Sequence, residues 1–541
     1  MRTILSIIIS SAHIFFATLL AQNSLQQENY GDRLKVGYVY SQPIKYNPMI
    51  AYTEYEQEIN NLIFGDGLFT RAADGHIIRG LALSSEQETP RFWRVNLRSD
   101  IAFHDGTEIT AEDVKFTFDL YKKFAMQSHL LFPMRIVSAV DIISNKSLRI
   151  ILKESSRDFR ETIGQLPILP KKYYEQWQNY NLLSNLPYIE PVGNGHFIFS
   201  RQLGSDVYMD TYLDHHRKRA NLSGIDFIFF DTYEEMVDAF IDGRIDLITV
   251  QGKSALQKIL RLSSEKEFVL VERDNIKLYY ILLNTKRDPF NAVDIRRAFN
   301  YAINKKQLVE RNLDNQGHVA VNILDEDSEY FFQSIRIYNY DPLRSLNILR
   351  SSGYRQQPNG KLFQQDRELK FEFYFQEGSG FEETITRLIS INLAELGINM
   401  IPRPKKPAEL EQLIREGKYQ AVLRCFTYDP KAPAQALREF YLRELKSENG
   451  FRNFNDRLMN TLVSQSARSF SDEQIKRIIQ QMQVQINSYS PSIFLFFEDR
   501  IYFAINNRFK NTKTTTFQRL EYVVKIYPKY EWFVPSNDQK Y

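Results

Sequence analysis

The chain has 541 residues, 43% hydrophobic and 25% charged, an ordinary globular composition with enough length for two or three domains. Its formal charge of +3 is close to neutral for this size, which excludes an electrostatic case for nucleic acid or an anionic membrane surface as partner. The 39 Phe and 31 Tyr read as core and surface filler of a large β-containing protein.

Arg2 precedes an apolar run from Ile4 to Leu20, broken by small residues and His13, and Ala21 leads into QNSLQQENYGDR. This layout predicts a secretory signal peptide over residues 1–21, cleaved after Ala21. The competing reading is an uncleaved anchor, since the run is just long enough to cross a bilayer. Cys425 is the single cysteine, so no intrachain disulfide is expected. Gln22, not a cysteine, follows Ala21, so no lipid anchor is expected. A freely soluble protein of the periplasm, without a stable membrane anchor, is the expectation.

In chain order, residues 34–40 (LKVGYVY) read as a strand and 43–48 as a loop. Residues 52–64 put Ile59, Leu62 and Ile63 on one side of a helix that ends at Gly65. The stretch 92–116, FWRVNLRSDIAFHDGTEITAEDVKF, has three parts. Trp93, Val95 and Leu97 alternate with Arg94, Asn96 and Arg98, the period of a half-buried strand. Asp105-Gly106 is a turn dipeptide, because glycine reaches positive φ without a Cβ clash. Thr110 then caps a helix, its hydroxyl accepting from a free N–H two or three residues on, with Glu112 and Asp113 at the positive end of the dipole. Val114, Phe118 and Tyr121 form that helix's apolar face.

Residues 136–140 and 148–152 alternate as a hairpin, and Pro170 opens another helix. Strands are predicted at 197–200 and 207–212, and a β-α-β unit over 225–230, 233–241 and 245–250. Strands at 268–272 and 278–284 follow, then a helix capped by Asp294 with Ile295, Phe299, Ala302 and Ile303 buried. Further on come a strand at 369–375, helices at 382–396 and 408–416, a strand at 421–425, a long helix at 472–488 and a strand at 491–497.

Catalytic chemistry is thin. HExxH, CxxC, GxSxG and phosphate-cradling motifs do not occur. His215 and His216 are adjacent, so on a strand they point to opposite faces, and no metal site is expected there. Gly193-Asn194-Gly195 lacks the third glycine and the following helix of a dinucleotide site. Cys425 reads as a small buried hydrophobe. The chain is expected to be no enzyme and to need no cofactor.

The stretch 92–116 also carries a family signature. VNLR…FHDGTEITAEDVKF resembles FxLR…FHDGTxxTAEDVxF of the extracellular solute-binding proteins of family 5, the peptide/nickel/oligopeptide receptors of ABC importers, with Val95 where an aromatic is usual. Asn47-Pro48 and Gly67-Leu68-Phe69 match the family opening. PVGNGHF at 191–197 resembles PVGTGPY, with glycines that give backbone freedom where the chain returns to its first domain. Asn284 to Phe290 with Ile295-Arg296, Ala298 and Ala302-Ile303 resembles NxxxxPF…VRxAxxxAID. Tyr340-Asp341-Pro342 through Gly353-Tyr354 resembles YDPxxAxxLLxxAGY. The matches run from about residue 34 to about residue 515.

The resemblance implies an α/β fold: a two-lobed periplasmic binding protein, type II and cluster C-like, with a two-strand hinge and an extra domain inserted in lobe I. Carried over, lobe I spans 34–60, 190–280 and 500–541, the inserted domain 61–189 and lobe II 281–499. The lobes are then joined near 282–285 and near 497–501. The implied function is capture of an oligopeptide or peptide-like solute in the interlobe cleft and delivery, by a monomer, to the transmembrane subunits of an ABC permease. The alternatives are a non-peptide solute (nickel chelate, sugar, opine or peptide antibiotic) and an accessory or sensor subunit with a degenerate cleft. CFTYDPKAP at 425–433 lies where relatives carry GWxxDYxDP. This puts Phe426 on the tryptophan and Asp429 on the ammonium-binding aspartate, while Ala432 replaces the second aspartate. Arg424 is a further candidate, for a ligand carboxylate, against the reading of a solvated strand-edge arginine. Tyr52, Thr53, Glu54 and Tyr55 open the first helix at the lobe I rim, where family members contact ligand.

Overall fold

A computed structural model describes residues 30–40, 43–51, 53–72, 76–125, 127–128, 130–156, 159–250, 252–263, 268–273, 276–313, 317–428, 433–445, 456–466, 471–498, 501–512 and 531–540. The predicted signal segment lies outside them.

The first half begins with β1 (Arg33–Val39) and α1 (Glu54–Phe64), followed by the small hairpin β2 (Phe69–Arg71) and β3 (Ile77–Arg79). Next come β4 (Ala82–Thr89), β5 (Phe92–Leu97), α2 (Ala111–Phe124), β6 (Val137–Ser144), β7 (Ser147–Leu152) and a single turn, α3 (Lys171–Tyr174). Then follow β8 (Phe197–Leu203), β9 (Asp206–Thr211), β10 (Gly224–Phe230), α4 (Tyr233–Ile241), β11 (Leu247–Val250), α5 (Gly252–Ser263) and β12 (Phe268–Arg273).

Local chemistry sets these ends. Thr53 caps α1: its hydroxyl accepts from Glu56 N–H at 3.2 Å, and Glu56 accepts from Thr53 N–H at 3.1 Å. Gly65 ends the helix at φ +67°. Thr110 and Asp113 form a capping box at α2. Asp113 accepts both the N–H and the hydroxyl of Thr110, at 3.0 and 2.8 Å. Gly106 sits at φ +78°, as its turn requires.

The second half runs β13 (Ile276–Leu283), α6 (Val293–Ala302), α7 (Lys305–Asn312), β14 (Gly317–Val319), α8 (Pro342–Ser351), and the short strands β15 (Arg355–Gln356), β16 (Leu362–Gln364) and β17 (Arg367–Glu368). It continues with β18 (Lys370–Gln376), α9 (Gly380–Glu395), β19 (Asn399–Lys405), α10 (Pro407–Arg415), β20 (Ala421–Tyr428) and α11 (Pro433–Phe440), which passes into a π turn at Tyr441–Leu445. The helices α12 (Arg457–Ser466) and α13 (Asp472–Tyr489) and the strands β21 (Ser492–Glu498) and β22 (Ile501–Asn506) complete it. Asp294 lies inside the first turn of α6, and Ala292 holds the cap position instead.

Two large sheets result. The first, of seven strands, has the order β12-β22-β11-β1-β10-β9-β8, and the second, of six, β14-β21-β13-β20-β18-β19. A four-stranded sheet, β4-β5-β7-β6, makes the inserted unit. Its core residues Trp93, Phe118 and Ile150 join Val36, Ile225 and Phe503 in one continuous apolar cluster, so the insert is fused to one face of the first sheet. The other face of that sheet is covered by Met236, Phe240 and Ile259 of α4 and α5. The second sheet is buried on both faces.

The chain passes between the large sheets twice, from β12 to β13 and from β21 to β22. The first passage lies ahead of Ile276, not near 282–285, because all of β13 is already paired with β20 in the second sheet. The lobe boundary expected at 281 therefore moves to the interval between Arg273 and Ile276. Gly193 and Gly195 do not take positive φ. A Cβ on either would lie 2.2 Å or less from a carbonyl oxygen of α1, so the need is for close approach. Among the described residues no helix is long and apolar enough to cross a membrane.

Candidate functional site

The two large sheets turn particular ends toward each other, and strand direction says which. In lobe I, β1 runs parallel to β10 and β11, so Val39, Phe230 and Val250 end on the side where the chain leaves for lobe II. In lobe II, β18 runs parallel to β19 and β20, so Gln376, Lys405 and Tyr428 end on the side where the chain arrives. Carboxyl ends of strands in open α/β sheets are where ligands bind, since helix N-termini and loops converge there.

On the lobe I side this edge is aromatic. Tyr55, from the first turn of α1, packs edge-on against Phe229 at 4.9 Å and against Tyr38 at 5.8 Å. The Tyr38 hydroxyl donates to buried Glu58 at 2.7 Å. On the lobe II side the edge is charged. Lys277 and Glu498 stand opposite each other on β13 and β21, with Nζ and Oε2 3.9 Å apart. The Lys277 Nζ also lies 5.1 Å from the Tyr279 ring centre. Burial pulls the Lys277 ammonium down, but Tyr279, Cys425 and Glu498 around it outweigh that and keep it protonated. Glu382, in the first turn of α9, is pushed up by burial to about 7, although Gln376 N–H, Lys277 and Arg424 oppose the rise. Sequence reasoning missed Lys277 and Glu498. The available signal was a lone charge at one end of each apolar strand.

The lobes meet at the rim. Gly378, at φ +73°, abuts Thr232 so closely that a Cβ would stand 2.9 Å from the threonine side chain. Gly380 N–H donates to Glu234 Oε1 at 3.4 Å. Away from this rim, Lys45 of lobe I and Arg415 of lobe II are also near enough for their charges to interact.

The expected site residues are placed as follows. Asp429 and Tyr52 lie outside the described residues, as does the side chain of Glu54. Thr53 is engaged in the α1 cap, and Tyr55 is 3% exposed in the aromatic wall. Phe426 does not face the interlobe edge as a ligand platform would. It is 2% exposed and packs between Tyr428 and Phe440 in the lobe II core. Arg424 is not a solvated strand-edge residue, because β20 is an interior strand. Its guanidinium pairs with Glu411 of α10 and, at 3.4 Å, with Glu444 of the π turn. Burial opposes its charge, and those two carboxylates outweigh it. Cys425 is exposed, not buried.

The adjacent histidines also differ from expectation. β9 ends at Thr211, so His215 and His216 lie in a loop and both rings turn toward Asp66. A basic depression of about 720 Å³, lined by Lys286, Arg287, Arg415 and Lys418, sits at the other end of the β13–β20 pair from the interlobe edge.

With this geometry in view, similarity to known proteins is informative. The model of bacterial extracellular solute-binding proteins, family 5 (middle), matches residues 76–446. Heme-binding protein A of Haemophilus influenzae is 22% identical over 425 residues, covering 74% of each chain. The nickel-binding periplasmic protein of Escherichia coli is 24% identical over 409 residues, covering 72% of this chain and 75% of its own. The solved structure of the oligopeptide-binding protein AppA of Bacillus subtilis, in complex with a nonapeptide, superposes with a TM-score of 0.80. It is 17% identical and covers 94% of this chain and 99% of AppA, a likeness of fold. The chain thus belongs to the bacterial extracellular solute-binding proteins of family 5, a family that binds substrates for ABC importers and does not transform them.

Proposed function

We propose that the protein captures an oligopeptide or peptide-like solute between its lobes, in the periplasm after loss of residues 1–21, and hands it unchanged to the transmembrane subunits of an ABC permease. The observation that carries this reading is the pair of opposed strand ends joined, among the described residues, by two chain passages. Two passages allow a hinge, and the solute's differential affinity for the closed form drives closure. The monomer acts alone until it meets the permease.

Asp429 directly follows Tyr428 in sequence, and its carboxylate is proposed to meet a solute ammonium. Lys277 supplies a cation on the same edge, and a dipolar solute needs both signs. Such pairs strengthen as closure removes water. The relatives bind heme and nickel, and AppA holds a nonapeptide, so one fold accepts very different cargo. A non-peptide solute is the second reading. It is favoured by the burial of Phe426, which removes an aromatic surface beside Asp429.

A pool of short peptides should raise the melting temperature of the wild-type protein, and Asp429→Asn should weaken that shift at least tenfold in peptide concentration. An undiminished shift in Asp429→Asn would reject the ammonium role. No shift in the wild type would reject peptide cargo.

A further inference from the structure

At the far end of α1 from the interlobe edge, three side chains converge on one buried point. Asp66 follows the Gly65 cap, and its backbone is held in a ring of hydrogen bonds. Its N–H donates to Asn194 Oδ1 at 2.9 Å, and Asn194 Nδ2 donates back to its carbonyl at 3.2 Å. His215 and His216 come from the loop after β9. The His215 ring lies 3.6 Å from the ring of His196 and 4.4 Å from that of His216.

We propose that Asp66, His215 and His216 bind a divalent transition-metal ion of the zinc class, which fastens the seam between the inserted unit and lobe I. One donor atom from each residue lies within 4.8 Å of the other two. Asp66 is 6% and His215 7% exposed, and the His216 side chain 2%. Neither Nε2 has a hydrogen-bond partner, and Asp66 Oδ2 has none either. His216 Nε2 is 3.4 Å from that oxygen but not in hydrogen-bonding geometry. Buried polar atoms normally find partners, and donor atoms gathered this closely are what a shared cation satisfies.

The donor set is suitable. Two imidazoles and a carboxylate suit zinc, cobalt, nickel or copper better than calcium or magnesium, which prefer oxygen. Arg217 takes only Asp66 Oδ1, at 2.9 Å, and leaves Oδ2 to the ion. That is the usual outer partner of a metal-bound carboxylate. A tetrahedral ion with bonds of about 2.0–2.1 Å brings donors to about 3.4 Å, so the three side chains contract on binding. His215 Nδ1 accepts a long hydrogen bond from Arg217 N–H, at 3.3 Å. Coordination through Nε2 moves the ring proton to Nδ1 and releases that bond.

The site does not depend on the cargo. α1 has 11 residues, so Asp66 lies about 16 Å along its axis from the first turn at 1.5 Å per residue.

The test is Co²⁺ titration of the full mature chain after chelator treatment, read by visible absorption, with Zn²⁺ competition and melting curves alongside. One equivalent of four- or five-coordinate Co²⁺, displaced by Zn²⁺, is expected, with a rise in melting temperature. His216→Gln and Asp66→Asn should each weaken binding at least tenfold. His216→Gln keeps the Asp66–Arg217 pair, so it decides the matter if Asp66→Asn folds poorly. Absence of stoichiometric binding, which leaves only buried water or protons at the site, overturns the proposal. So does binding that both variants leave unchanged, because the ion is then elsewhere.

Discussion

Arg424 reaches from an interior strand to two carboxylates on different elements, Glu411 and Glu444, and Glu444 is fully buried. Removing one member of a buried pair costs more than the pair itself contributes, because the remaining charge stays out of water. Arg424→Ala should therefore destabilise the protein by roughly 3–5 kcal/mol in urea unfolding. A loss near zero would mean that the arginine is free to serve a ligand. The sequence placed Arg424 on a strand ending at Cys425, and that strand runs on through Phe426 to Tyr428. It could not say what lies over each face. That depends on Glu444 and Phe440, supplied by a helix and turn further along the chain, and on Tyr280 opposite Arg424 in β13. Asp66 and His215 are hidden for the same reason. They are separated by most of the inserted unit, and no local period links them.

At the scale of elements, the stretch 92–116 was legible because its signals are local: alternation in β5, glycine at the turn, acids at the start of α2. What it holds together was not. His104, in the turn, is kept neutral by burial, at about 4. Its Nε2 lies 3.0 Å from Gly195 O, and its backbone N–H donates to Gly193 O at 2.8 Å. The 191–197 loop is thus clamped between that turn and the last turn of α1. Gly195 has no room for a side chain there, since a Cβ would meet Leu62 O at 2.0 Å. A helix carbonyl cannot yield without loosening its own hydrogen bond. Gly195→Ala should lower stability by about 2–4 kcal/mol, at the high end of single substitutions, measured by thermal melting. A shift within about 0.5 kcal/mol would contradict this packing. β13 shows the opposite limit: its apolar period was visible, but its first residues include Lys277, and polarity at that end obscured where the strand begins.

For the whole molecule, the α/β class and the two-lobed plan follow from the order of elements together with the family signature. Sheet order does not follow from local pattern. β22 pairs with both β11 and β12, so strands about 250 residues apart in sequence share a ladder. That return of the chain creates the second passage between lobes. In the proposed closure, the rim contact of Thr232 with Gly378 and the charged edge of Lys277 and Glu498 are where the lobes act on each other. Family membership leaves the cargo open, since relatives bind heme, nickel and peptides.

The most direct measurement is native mass spectrometry of the protein purified gently from its own compartment. A population carrying bound short peptides of mixed mass, released by denaturation, is expected. A uniform non-peptide mass would contradict peptide cargo while keeping solute capture. An empty protein that also gains no stability from peptide pools would contradict capture between the lobes.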